Sequence, residues 1–167
     1  GPFAFVALHV HQAFALALSS AGALVMLFGL GGLVFALASR RLVMRLGEVG
    51  LARWGGALML LSLLGIGYAP AWGWVVAACL LLGLGYYMLH NTLQVNATQM
   101  APERRGAAVA GFAASFFLGQ SIGVWLGALS VATIGTGHFM ALGALGVLVV
   151  SSAFATLLRR RARHARG

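Results

Sequence analysis

Long apolar runs, rather than alternating apolar and polar positions, dominate this sequence. Each run has about 20 residues, the length that a helix needs to cross a hydrocarbon layer of roughly 30 Å. The runs are unbroken and rich in Ala, Leu and Gly, unlike the two-residue period of a membrane strand. Full spans are predicted at about 20–39, 52–70, 72–95, 106–129 and 138–158, with a shorter apolar stretch at about 1–12. The pattern predicts an all-α polytopic membrane bundle with five full spans and part of a sixth.

The first apolar stretch is already under way at Phe3, directly after Gly1 and Pro2. No basic region precedes it, so it does not have the form of a cleavable secretory signal. We therefore expect that the true start of the protein lies upstream, and that residues 1–12 are the outer part of a longer first helix.

Composition agrees with a membrane location, since 61% of the 167 residues are hydrophobic and only 8% are charged. The formal net charge of +9 raises the possibility of a nucleic-acid partner. Nucleic-acid binders present a basic face on a water-soluble fold, whereas these arginines fall in short clusters between membrane-length segments. The sequence thus excludes a nucleic-acid partner and predicts the lipid bilayer as the surroundings of the chain.

The arginines occupy every second connection between the predicted spans. They are Arg40, Arg41, Arg45 and Arg53, then Arg104 and Arg105, and then Arg159, Arg160, Arg161, Arg163 and Arg166. If each span crosses the membrane, all of them reach one side, which the positive-inside rule identifies as the cytoplasm. Residues 159–167 are then a cytoplasmic basic tail, either a topology signal, which we favour, or an anionic-lipid contact. We expect a multi-pass protein of the bacterial inner membrane.

Small residues recur at every fourth position of the segment 106–129. This small-residue row consists of Ala107, Gly111, Ser115, Gly119, Gly123 and Gly127. Positions four apart lie nearly above one another on a helix, so the row is a face that another backbone can approach closely. Static packing and a sliding interface are both compatible with it. A weaker version occurs at Gly29, Gly31 and Gly32.

A polar stripe lies at the end of the predicted span 72–95, in the sequence "YYMLHNTLQVNATQM". Its members are Tyr87, His90, Asn91, Gln94 and Thr98, which share one helical face. Lipid cannot satisfy their hydrogen bonds, so we expect the stripe to face the bundle interior or a water-filled cavity. Interhelical hydrogen bonding is the alternative, and we favour cavity lining for the stripe as a whole.

Other polar residues give weaker signals. Gln120 lies near the middle of its span, while His9 and His11 lie at the outer end of the first helix and could line an outer vestibule. Two residues apart, these histidines do not share a helical face, which disfavours a metal site. We expect no cofactor, and Cys79 can form no internal disulfide.

Enzymatic motifs are missing from the sequence, which contains no GxSxG, HExxH or phosphate-binding glycine loop. Ser115 or Ser121 with His90 is a conceivable pair for an intramembrane hydrolase, but nothing in the surrounding sequence supports it. The two acids, Glu48 and Glu103, lie outside the predicted spans, so no carboxylate proton relay is expected within this chain. We predict that the protein is not an enzyme.

Two segments resemble the C-terminal half of a major facilitator superfamily transporter, most closely the bacterial drug and sugar efflux permeases. The first is "SRRLVMRLGE", in which Arg41, Leu42, Arg45 and Gly47 match the family loop between helices eight and nine. Met44 stands where the family often has Asp, and Glu48 where it often has a basic residue. The second is "QMAPERRGAAVAGFAASFFLGQSIG", which includes Arg105 and resembles the Pro and Arg-Gly signature ahead of helix eleven.

The resemblance implies a secondary active transporter in which two six-helix bundles rock about a substrate site near the midplane. The polar stripe would then lie on cavity-lining helix ten, and the small-residue row on helix eleven, at the interface between the halves. The implied partners are a small organic solute and the missing N-terminal half. Proton coupling is implied to run through that half. A non-transporting membrane scaffold, in which polar groups only join helices, is the alternative.

Overall fold

The computed structural model describes residues 2–17, 20–99 and 102–164. A 3-10 turn at Pro2–Phe5 leads into α1 (Val6–Phe14), followed by α2 (Ser20–Gly67) and α3 (Trp72–Gln99). A second 3-10 turn at Pro102–Arg104 precedes α4 (Arg105–His164). These residues contain no strand, which confirms the predicted all-α class. Arg166 lies outside the described residues.

Two glycines divide the longest helices into separate arms. Gly47 in α2 has φ 61° and ψ 179°, and Gly135 in α4 has φ 77° and ψ 161°. This region of backbone space is essentially restricted to glycine, because a Cβ would clash with the neighbouring peptide. α2 therefore has arms 20–46 and 48–67, and α4 has arms 105–134 and 136–164.

The arms and α3 provide five long helical segments, and their ends differ from the predicted ones. The helix that begins at Ser20 continues to residue 46, through arginines that the hydropathy pattern placed in a connection. Arms 105–134 and 136–164 are joined through Gly135 alone, where a longer connection was predicted. Amphipathic ends of a spanning helix stay helical in the polar interface, so hydropathy underestimates helix length.

α3 lies between the two arms of α2 and touches each through a glycine. A Cβ on Gly83 would overlap the backbone of Phe28 in arm 20–46, and one on Gly31 would overlap the backbone of Leu80. On the other side, a Cβ on Gly55 would lie 2.8 Å from the carbonyl oxygen of Gly85. Glycine lets these backbones meet directly, which maximises the van der Waals contact that holds helices together in lipid.

Arm 136–164 packs antiparallel to arm 48–67 through two further close approaches. The side chain of Ser151 fills the space beside Gly56. Nearer the other end, a Cβ on Gly67 would lie 3.1 Å from the carbonyl oxygen of Gly137. These contacts fix the register of the two arms along their whole length.

One end of the small-residue row of arm 105–134 packs against the rest of the bundle. Gly127 is buried against the rings of Phe5 and Phe139, whose centroids are 5.0 Å apart. A Cβ on Gly111 or Gly119 would meet nothing within 4 Å. The row was expected to pack against protein; Gly127 does so, whereas the positions of Gly111 and Gly119 are open within the described residues.

Large apolar side chains cover the outside of the bundle. Leu37 is 81% exposed, Val149 67% and Leu61 65%, while a buried core that includes Val10, Ile66 and Leu82 fills the inside. In water such an exterior would aggregate, whereas in a hydrocarbon layer it is the favourable surface.

Candidate functional site

The polar stripe of α3 divides between two neighbouring arms. Tyr87 packs on Gly32 and lies with its ring centroid 6.0 Å from that of Phe28, both in arm 20–46. His90 stacks on Tyr86 at 5.0 Å and turns toward arm 105–134. Tyr87 and His90 thus face different arms, and Asn91 and Gln94 lie on the same side of α3 as these two residues.

His90 belongs to an aromatic cluster that joins α3 to arm 105–134. Its ring centroid lies 4.9 Å from that of Phe116 and 5.4 Å from that of Phe112. A cavity of about 490 Å³ adjoins this cluster, and its lining includes Met59, Leu93 and Ser115. The structure therefore brings His90 and Ser115 into one cavity, although no hydrogen bond joins these two residues.

Asn91 and Gln94 are half-buried polar groups without a bonding partner. Neither forms a side-chain hydrogen bond with any residue that the structure describes. By contrast, the Thr98 hydroxyl donates to the carbonyl oxygen of Val95 at 2.8 Å, within its own helix. Within the described chain, the side-chain amides of Asn91 and Gln94 thus form no interhelical hydrogen bond. Gln120 is exposed on arm 105–134.

His9 joins three helix ends on the side of the bundle away from the arginines. It is 8% exposed, and its Nε2 donates to the carbonyl oxygen of Ile66 at 3.0 Å. Its Nδ1 lies 2.8 Å from the hydroxyl of Thr136, directly after the break at Gly135. His9 is therefore enclosed between α1, arm 48–67 and arm 136–164 and does not line an open vestibule.

His11 has a different environment from His9, as their spacing predicted. It is exposed, and its Nδ1 lies 2.7 Å from the carbonyl oxygen of Leu16. That carbonyl follows the end of α1, where Ala15 has φ 52°. No group of three or more metal-binding side chains occurs in residues 2–17, 20–99 and 102–164.

Replacing His9 with Leu is expected to destabilise the protein, whereas His11→Leu is expected to be nearly neutral. The first change removes both ring hydrogen bonds and leaves only long bonds of 3.4 Å, from Ala69 N–H to the carbonyl of Ile66 and from the hydroxyl of Thr136 to Gln12. The expected cost is about 1–3 kcal/mol. The second removes one exposed bond. Melting temperatures of the full-length protein in detergent measure the difference. Equal melting temperatures for the two variants would show that the three-helix contact does not depend on His9.

Asn96 makes a contact between segments that the sequence did not single out. Its Nδ2 donates to Glu48 at 3.2 Å and to the carbonyl oxygen of Thr92 at 3.0 Å. The bond to Glu48 attaches the end of α3 to the residue after the Gly47 break. Asn96 and Glu48 are far apart in the chain, so the sequence around each residue does not predict that they pair. The one local hint is that an acid follows a glycine.

The structure gathers every arginine that it describes at the Gly47 end of the bundle, which we call the arginine end. Arg41, Arg45 and Arg105 are exposed there. Position 47 favours glycine because of its positive φ angle and not because of crowding, since a Cβ there would meet nothing within 4 Å. The opposite end holds the contacts of His9 and the Gly67–Gly137 approach.

A helical bundle with an apolar exterior and its charges at one end is a multi-pass membrane protein. Three of its helices are long and apolar enough to cross a membrane, and two of these contain the glycine breaks. The chain belongs to the Major Facilitator Superfamily, whose family model matches residues 2–167. Members of that family are membrane transporters rather than enzymes.

No curated protein and no solved structure matches the chain at a significant level. The family match covers nearly every residue, so the assignment to a transporter family rests on the whole bundle.

Proposed function

We propose that the protein is a secondary active transporter that exports a small organic solute by alternating access. Membership of a transporter family supports the transport part of the proposal. The observation that carries the site is the pair Asn91 and Gln94, half-buried amides without a partner among the described residues. Their amide atoms are accessible rather than sealed in the core, and lipid cannot bond them, so such amides are suited to bonding a solute or water in a central cavity.

Tyr87 and His90 frame this site in the proposal. Tyr87 is fixed on Gly32, and His90 is fixed by the stacked ring of Tyr86. This face of α3 combines aromatic rings with amide donors and acceptors and contains no acid or arginine, which suits a neutral or weakly polar organic solute. Gln120, on the neighbouring arm, is a candidate for a later contact on the transport path.

The bundle is proposed to work together with a second six-helix unit. The open part of the small-residue row, around Gly111 and Gly119, provides a face where another backbone can approach. The arginine end would face the cytoplasm of a bacterial cell, as the positive-inside rule favours. Proton coupling would then depend on residues outside this chain, because its two acids lie near the arginine end.

Replacing both Asn91 and Gln94 with Leu in the full-length protein is expected to reduce export at least tenfold. The amount of protein in the membrane should not fall. Each lost bond to a bound solute is worth about 1 kcal/mol, and two together exceed a factor of ten. Export from cells loaded with a panel of fluorescent organic solutes measures the effect of Asn91→Leu with Gln94→Leu.

Gln99→Leu is the matched control, because Gln99 is an exposed amide at the end of the same helix. It is expected to leave export unchanged. Undiminished export of every solute by the Asn91 and Gln94 double variant would remove these residues from the site. A complete absence of export by the unaltered protein would favour the scaffold alternative.

A further inference from the structure

Arms 48–67 and 136–164 meet along two stripes of small and apolar residues. Gly56 touches Ser151 directly, and Ala52 belongs to the same buried cluster as Ala155 and Leu158. Ala52 and Gly56 are one turn apart, as are Ser151 and Ala155, so each set faces the other arm. The contact therefore runs continuously to the arginine end.

Arg53 and Arg159 each follow a residue of these stripes by one position. One position turns a side chain by about 100° around the helix axis. The arms are right-handed helices that run antiparallel, so this turn carries both arginines to the same side of the contact. Arg163, one turn beyond Arg159, joins them on that side.

The register of the two arms also brings these arginines to similar depths. Gly67 lies opposite Gly137, and Gly56 lies opposite Ser151. Continued to the arginine end from the contact of Gly56 with Ser151, this register places Arg159 level with Glu48, about 8 Å along the axis from Arg53. Two long, flexible arginine side chains can reach a common group across that distance.

No carboxylate among the described residues neutralises the positive charge of these arginines. The chain has 11 basic residues and two acids. Glu48 is bonded to Asn96, and neither Arg53 nor Arg159 has an acidic partner among the residues that the structure describes. Further along arm 136–164, Leu145 and Val149 are exposed on the outside of the bundle. Positive charge thus borders a lipid-facing apolar surface.

We propose that Arg53 and Arg159 bind the phosphate of one anionic phospholipid, with Arg163 strengthening the site and the acyl chains lying over Leu145 and Val149. Guanidinium groups bind phosphate through paired N–H donors. A basic site between helix ends at the membrane surface matches anionic headgroups. The apolar border favours a lipid over a soluble phosphate, which would use only the arginines.

The test uses purified full-length protein in a neutral detergent. Phosphatidylglycerol is expected to bind and raise the melting temperature, whereas phosphatidylcholine and inorganic phosphate at the same concentration are expected to have little effect. Arg53→Gln with Arg159→Gln should weaken phosphatidylglycerol binding about 30-fold, because each substitution removes one positive charge that attracts the anionic headgroup. Arg53→Lys with Arg159→Lys keeps the charge and should retain most of the binding.

Arg160→Gln is the matched control, since Arg160 belongs to the same tail but points away from the contact between the arms. It should weaken binding less than threefold. The proposal is overturned if Arg160→Gln has the same effect as the double variant, if phosphatidylcholine stabilises equally, or if inorganic phosphate reproduces the whole effect. Native mass spectrometry counts bound lipids and detects loss of the site even where a variant melts at a lower temperature.

Discussion

Replacing Gly31 or Gly83 with Ala is expected to lower the melting temperature of the full-length protein sharply. A Cβ at either position would overlap backbone atoms of the opposing helix, including the carbonyl oxygens of Leu80 and Phe28. Backbone atoms cannot rotate away as a side chain can, so arm 20–46 and α3 must separate. Overpacking of this kind costs about 1–3 kcal/mol, and separation also weakens the neighbouring contacts.

Gly29→Ala is the control for this prediction. Gly29 lies on the same helix, two residues from Gly31, and a Cβ there would meet nothing within 4 Å. Alanine favours a helix by up to about 1 kcal/mol over glycine, so Gly29→Ala should be neutral or stabilising. Identical losses for Gly29→Ala and Gly31→Ala would show that the two helices do not cross at Gly31.

The double variant provides a further check on the same crossing. Once the first added methyl group has separated the helices, the second meets a wider gap. Gly31→Ala with Gly83→Ala should therefore cost less than the sum of the single variants, as expected for residues in one contact. Additive losses would indicate two independent sites.

The sequence predicted the number of long helices well, because a run of about 20 apolar residues has one main structural explanation. It did not distinguish glycines at crossings from glycines that face lipid. Gly29 and Gly31 belong to the same motif, yet only Gly31 meets another backbone. Gly55, Gly83 and Gly85 were not singled out at all. Which glycines lie at crossings depends on helix rotation, which local hydropathy does not encode.

The candidate site was predicted in part. The pattern on α3 predicts Tyr87, His90, Asn91 and Gln94 as one face, and in the structure Tyr87 contacts arm 20–46 while His90 contacts arm 105–134. The partners of His9 could not be predicted, because Ile66 and Thr136 come from distant segments. Likewise, the bond of Asn96 to Glu48 depends on how α3 meets the Gly47 break.

Gly119→Leu is expected to reduce export by the full-length protein at least tenfold while leaving the fold of this bundle intact. This prediction depends on the proposed function, in which the open small-residue row meets a second six-helix unit during transport. Gly119 has nothing within 4 Å of a Cβ, so Leu adds no clash within the described chain. Against another backbone, however, Leu would hold the two units apart in the state that brings them together.

Gly146→Leu separates this effect from the general cost of replacing a glycine. Gly146 also has nothing within 4 Å of a Cβ, but it lies on arm 136–164, outside the small-residue row. Its variant should export normally and melt at the same temperature as the Gly119 variant. At Gly119 itself, export should fall progressively from Ala to Val to Leu, because a larger side chain imposes a larger separation. Normal export by Gly119→Leu would show that this face is not a moving interface.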